Sequence, residues 1–214
     1  MTHDERAYYA LTRRTYASWF ATFYDAITWP ARWVRSRVPR LAGIQVGTRA
    51  IDVATGTGAQ ARAFADAGAH VLAIDLSPRM LAIAGRRRRR RDIDFVEADA
   101  TALPTLDASF DVACVSFASH EMPAGVRAIV VAAMARVTRP GGTVVVVVDD
   151  YALPRNRVWR WLVCHVVNAF EPEPYVDFVR SDLVALLARS GIALRADHQT
   201  LLGAARIAIG VREV

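Results

Sequence analysis

Lysine is absent from this chain of 214 residues. All 27 basic side chains are arginine, against 21 acids, for a net charge of +6. Such a balance ordinarily points to nucleic acid or an anionic surface. Complete replacement of lysine by arginine in an alanine-rich chain reads instead as coding bias, which weakens that reading. The run from Arg86 to Arg91 follows a helical pattern and precedes a strand, so it reads as a solvated helix end and loop. Cysteine is scarce as well. Cys114 and Cys164 sit far apart in apolar runs, without metal-ligand spacing, and are expected to be reduced core residues; no metal is expected.

Long apolar runs are also missing. No stretch approaches the roughly 18 uncharged apolar residues of a membrane span, and Val144 to Val148 is only long enough for a buried strand. The start, MTHDERAYYALTRR, mixes acids and arginines where a secretory signal would have a basic end and an apolar block. Cytoplasmic residence is the expectation. Neither a repeat nor a Pro/Ser linker divides the chain, and its length suits one α/β domain.

Aromatic residues are thin in the middle. Only Phe64, Phe95, Phe110 and Phe117 fall between Leu41 and Asp150; the others, including all five tryptophans, lie in the first 40 residues or between Tyr151 and Phe178. That middle holds strand-like runs at Ala50–Val53, His70–Ile74, Ile93–Glu97, Val112–Ser116 and Thr143–Asp149. Helical patterns alternate with them near Ala59–Ala67, Pro78–Arg88 and Ala124–Val137, followed by Ser181–Ser190. The alternation predicts a parallel sheet covered by helices on both faces. Ser77 before Pro78 is a helix start, Ser181 and Asp182 offer another, and Ala193–His198 with Ala204–Val211 closes the chain as a β-hairpin.

The stretch IDVATGTGAQAR, Ile51 to Arg62, is a strand turning into a helix through Gly56 and Gly58. It exposes backbone N–H groups to a ligand that approaches closely. The pattern also satisfies the dinucleotide fingerprint, with Asp75 as a ribose acid. The acids favour another ligand. Asp52, Asp75 and Asp99 should converge at the carboxyl edge of the sheet, where a pyrophosphate would be repelled. S-adenosylmethionine has no phosphate and presents an ammonium, a sulfonium, ribose hydroxyls and an adenine amine.

Taken in order, DVATGTG, AIDLSPRMLAIA, VEADATALP, FDVACVSF and RVTRPGGTVVVVV resemble the class I S-adenosylmethionine-dependent methyltransferases. The ubiquinone/menaquinone methyltransferase-like group is the most similar, over about Gly47 to Val214. The resemblance implies a seven-stranded Rossmann-like sheet of order 3-2-1-4-5-7-6. It also implies a single domain with a helical lid over residues 1–40, a cofactor-binding core over 41–150, a substrate-side insertion over 151–180 and a C-terminal helix and hairpin over 181–214. S-adenosyl-L-methionine would be held by Asp52, Ala54, Gly56 and Gly58 at the methionyl part, Asp75 at the ribose, Leu76 and Met80 beside the adenine, Asp99 at its amine and Ala100 at its edge. Ser116 and Phe117 would border the reaction chamber, and Tyr16 or Tyr24 would cover the cofactor.

Methyl transfer needs an aligned, dry acceptor, and a base only where the acceptor loses a proton. SHEMP, Ser119 to Pro123, follows the fourth strand, so His120 is a candidate base and Glu121 its orienting partner or a base itself; capping of the next helix is the bland alternative. Tyr151, Trp159, Trp161, His165, Phe170, Glu171 and Tyr175 are candidates for the acceptor wall, or for ordinary packing. The expected acceptor is a small aromatic, quinone-like or lipophilic molecule. Two alternatives stand beside it. One is a phospholipid headgroup N-methyltransferase, whose Trp/Arg-rich N-terminal helix would lie on a bilayer. The other is a nonenzymatic or RNA-associated protein, which is disfavoured because VSFASHE stands where many nucleic-acid methyltransferases carry DPPY or NPPY.

Overall fold

Strands that are apolar from end to end must be covered on both faces. Five strands run parallel, with the apolar runs of β1, β4 and β5 at the centre of the sheet: β1 (Arg49–Val53), β2 (His70–Asp75), β3 (Ile93–Glu97), β4 (Phe110–Ser116) and β5 (Thr138–Val148). A final hairpin, β6 (Ile192–Thr200) and β7 (Ala205–Arg212), places β7 antiparallel against β5. The sheet order is 3-2-1-4-5-7-6, as the motifs imply. The computed structural model describes residues 8–10, 12, 28–29, 31–87, 92–148, 182–200 and 205–214.

Alternate strand residues divide the core in two. Ile51, Val53, Ala113, Val115, Val144 and Val146 pack with Val126, Val130 and Met134 of α4 (Ala124–Val137) and Leu183, Leu186 and Leu187 of α5 (Leu183–Arg189). Their neighbours Ala50, Val112, Cys114, Val145 and Val147 meet the opposite layer. There Val34 and Val38 come from α1 (Ala31–Leu41), and Ala61 and Phe64 from α2 (Ala59–Asp66). Cys114 is a buried free thiol whose pKa burial pushes up, in keeping with an inert core residue.

Local chemistry fixes the helix starts. Ser77 Oγ accepts from Met80 N at 3.3 Å ahead of α3 (Pro78–Arg86), and Asp182 Oδ1 accepts from Ala185 N at 3.0 Å ahead of α5. β5 begins earlier than the sequence suggests. Arg-Pro-Gly-Gly reads as a turn, yet Gly141 takes φ +73° and the pairing with β4 shifts register between Phe110 and Val112, so Thr138 still pairs with Phe110.

Candidate functional site

The carboxyl ends of β1 to β4 open into one cleft. Asp52, Ala54, Gly56, Asp75, Leu76, Met80, Asp99, Ala100, Ser116 and Phe117 all line it. These are the positions the motifs mark, and the parallel register brings them together: Asp52 pairs with Ala73 on one side and Cys114 on the other.

The glycine turn is tied to the next strand. Gly56 N donates to Asp75 Oδ2 at 2.7 Å, Ser77 N donates to Asp75 Oδ1 at 2.8 Å, and Gly58 N closes the turn on Thr55 O at 2.9 Å. Burial raises the Asp75 pKa, while the amides of Ser77, Gly56 and Leu76 oppose that rise. The two glycines serve different ends. A Cβ on Gly56 would meet nothing within 4 Å and so would enter the space of the cleft. Gly58 does not line the cleft; at φ +77°, its Cβ would stand 2.9 Å from Phe95 Cε1 and 3.1 Å from Ala84. Gly58 is therefore needed for the turn and its packing on α3 and β3 rather than for ligand approach.

Asp52 lies fully buried at the floor. Its Oδ2 accepts from Thr55 Oγ1 at 2.5 Å, and its Oδ1 has no hydrogen-bond partner. Burial pushes its pKa up to about 7, against the pull of Thr55, the Arg35 charge and, from beyond bonding range, the Ala61 amide. Ser116 Oγ is a second buried atom without a partner on the cleft wall. Both atoms fit a site that accepts a polar ligand. Asp99 is already engaged: its Oδ1 accepts from Thr101 N at 2.8 Å, Thr101 Oγ1 at 2.7 Å and Tyr9 Oη at 3.2 Å.

Tyr8, Tyr9, Thr12 and Arg35, from the N-terminal segment and α1, also line the cleft and were not among the residues expected there. The two tyrosines meet edge to face at 5.4 Å, and Tyr8 has its pKa pushed well up by burial and then by the charge of Glu121. Adjacent tyrosines in AYYALT were the available signal. Tyr16 and Tyr24, the lid residues implied by the motifs, lie outside the described residues, as do Tyr151, Trp159, Trp161, His165, Phe170, Glu171 and Tyr175.

The SHEMP pair separates. Ser119–Glu121 forms a 3₁₀ turn, in which successive side chains point about 120° apart. Glu121 lines the cleft, whereas His120 is 3% exposed and absent from the described lining. Burial, then the nearby Arg127 charge, brings the His120 pKa down to about 4. Arg127, itself buried, donates to Ser119 O at 3.1 Å and Met122 O at 2.9 Å, which holds this turn in place. The expectation of His120 as a base beside the reacting atoms is thus not met by its position. It does not cap α4 either, since the N-cap of that helix is Pro123 and no side chain hydrogen-bonds there.

The model of the methyltransferase domain family matches residues 51–146. A demethylmenaquinone methyltransferase of Renibacterium salmoninarum is 45% identical over 115 residues, 54% of this chain and 46% of that protein. Another, from Paenarthrobacter aurescens, is 40% identical over 129 residues, 60% of this chain and 48% of that protein. The chain thus spans about half the length of the curated relatives it matches. Among solved structures, magnesium protoporphyrin IX methyltransferase of Synechocystis PCC 6803, with bound SAH, superposes with a TM-score of 0.75 at 14% identity, covering 95% of this chain and 99% of that one. At that identity the likeness speaks for the fold.

Proposed function

Because the chain belongs to the class I methyltransferases, in their ubiquinone/menaquinone-type group, we propose that it transfers a methyl group from S-adenosylmethionine to a small aromatic, quinone-like acceptor. The observation that carries this reading is the convergence of Asp52, Asp75 and Asp99 around the Gly56 turn in a single cleft. The cofactor would supply a methyl group activated on a sulfonium. Asp52 and the Gly56 turn would hold its methionyl part, Asp75 its ribose, and Asp99 with Leu76, Met80 and Ala100 its adenosine.

The residues of this chain would then align the acceptor and keep water out. Tyr8 and Tyr9 would cover the cleft, and Phe117 would give it an apolar wall. A hydroxyl-bearing ring that accepts a methyl on carbon or oxygen must lose a proton, and Glu121, a carboxylate on the lining, would take it. Demethylmenaquinone methyltransferases among the relatives support a quinone-type acceptor.

Such acceptors are lipophilic, and α1 offers a surface for reaching them. Trp29 and Trp33 are 63% and 53% exposed. Arg32 and Arg37 stand over their rings at 5.7 and 4.6 Å, and α1 contains no acid. Among the described residues no helix is long and apolar enough to cross a membrane, so the contact would be peripheral. The same surface would suit a phospholipid headgroup as acceptor, so the preference for a quinone-type acceptor rests on the relatives.

The test pairs calorimetry with turnover. S-adenosylhomocysteine should bind in the micromolar range, and label from methyl-labelled S-adenosylmethionine should appear on a reduced, 2-unsubstituted naphthoquinone. Binding of NADH without binding of S-adenosylhomocysteine would overturn the reading.

A further inference from the structure

Arg127 carries a permanent charge into the core. It is 2% exposed and lies in the first turn of α4, absent from the described lining of the cleft although its neighbour Val126 belongs to it. Burying a guanidinium is costly, and an apolar residue of similar volume often replaces a buried charge with no loss of stability. Its place adds a second cost. A cation in the first turn opposes the helix macrodipole, and no acid shares that turn. Neither packing nor helix stability explains a guanidinium at this position.

Its hydrogen bonds do. Nε donates to Ser119 O at 3.1 Å and Nη2 donates to Met122 O at 2.9 Å. These two carbonyls bracket His120 and Glu121, whose side chains the 3₁₀ turn sends in different directions. The turn has its own backbone bonds, Glu121 N to Ala118 O at 3.1 Å and Met122 N to Ser119 O at 3.4 Å. The second is longer than usual for an amide donor, and bonds of this type have poor geometry. Charge-assisted bonds from a rigid planar fork are stronger and more directional, so Arg127 fixes the turn at both ends where its own closure is weak.

We infer that Arg127 is a positioning residue for methyl transfer: its two-point hold on Ser119 O and Met122 O keeps Glu121 directed into the cleft and His120 directed away from it. This rests on the reading of Glu121 as the carboxylate that takes the acceptor proton. Arg127 acts through the backbone of the turn, and a carboxylate displaced by about 1 Å loses about 10²-fold in rate.

A double-mutant cycle on the full chain tests it, with methyl-labelled S-adenosylmethionine and a reduced, 2-unsubstituted naphthoquinone as substrates. Arg127→Met should lower kcat by about 10²-fold while the KM for S-adenosylmethionine and the affinity for S-adenosylhomocysteine stay within about twofold. Arg127→Lys offers a point charge in place of the fork and should fall between that variant and the wild type. In the Glu121→Gln background either substitution should cost less than about twofold more, because the group it positions is already gone. Should Arg127→Met fail to fold, Arg127→Lys carries the same cycle. Wild-type kcat in the Arg127 variants would overturn the inference. So would losses that multiply in the double variant, which is the signature of a purely structural role. Full turnover of Glu121→Gln alone would instead overturn the reading of Glu121, whatever the Arg127 variants do.

Discussion

Tyr9 donates its hydroxyl to Asp99 Oδ1 at 3.2 Å, joining residues 90 positions apart across the mouth of the cleft. The bond ties the N-terminal segment to the carboxylate assigned to the adenine. If that segment acts as a cover, Tyr9→Phe should leave the fold intact and let the ligand escape faster. A hydrogen bond to a charged group is worth about 1.5–3 kcal/mol, so the dissociation rate of S-adenosylhomocysteine should rise by about tenfold or more in stopped-flow displacement. An unchanged rate would show that residues 8–12 do not gate the cleft.

The two glycines of the turn should respond differently to the same change. Gly56 and Gly58 both have positive φ, +55° and +77°, so alanine at either costs about 1–2 kcal/mol in backbone strain. Gly58→Ala adds a clash with Phe95 and Ala84, for about 1–3 kcal/mol more. Its urea midpoint should fall further, with little change in ligand affinity once the protein is folded. Gly56→Ala should fold more readily and bind S-adenosylhomocysteine more weakly, because its methyl group occupies the cleft. The reverse ranking would mean that the ligand approaches Gly58.

The sheet was legible because parallel strands buried on both faces leave apolar runs, and acids at or just past the ends of the first three mark the carboxyl edge. That logic located Asp52, Asp75 and Asp99 without coordinates. It did not reach Arg35, which one arginine among 27 cannot announce; only the helical spacing with Val34 and Val38 hints at burial. Tyr8 and Tyr9 were hidden for a different reason. Their partners Glu121 and Asp99 lie far along the chain, and no local pattern encodes such a contact. Position after β4 correctly brought SHEMP to the cleft, but the 3₁₀ rotation decides which of its two side chains faces inward.

Asp52 makes ligand binding depend on pH. Its carboxyl is raised to about 7 in the fold, so the unliganded native state holds a proton that the unfolded chain releases near pH 4. This contribution to stability is complete below about pH 4 and is lost as pH rises through about 7. A cationic ammonium placed beside Asp52 favours the ionised form and expels the proton. Binding of S-adenosylhomocysteine at pH 6 should therefore release close to one proton, and at pH 8 almost none. Calorimetry in buffers of different ionisation enthalpy measures this directly. Persistence of the full release in Asp52→Asn would assign it to another group.

Variants of Glu121 and His120 would separate the proposed chemical role from a structural one. Glu121 lines the cleft, and removal of a positioned base costs about 10²–10⁴ in rate. Glu121→Gln should accordingly lower turnover on a hydroxylated aromatic acceptor by that order while leaving S-adenosylhomocysteine affinity within about twofold. His120 is buried and neutral, its pKa brought down to about 4 from 6.5. Unfolding allows it to bind a proton, so its stabilising contribution is present above about pH 6.5 and is lost as pH falls towards 4. His120→Gln should flatten the loss of stability across that window, seen in urea midpoints taken at pH 7 and pH 5, and should change turnover less than Glu121→Gln. Were His120→Gln instead to abolish the acidic limb of the pH–rate profile with Glu121→Gln fully active, the proton would leave through the imidazole, and the 3₁₀ turn would have to open for each turnover.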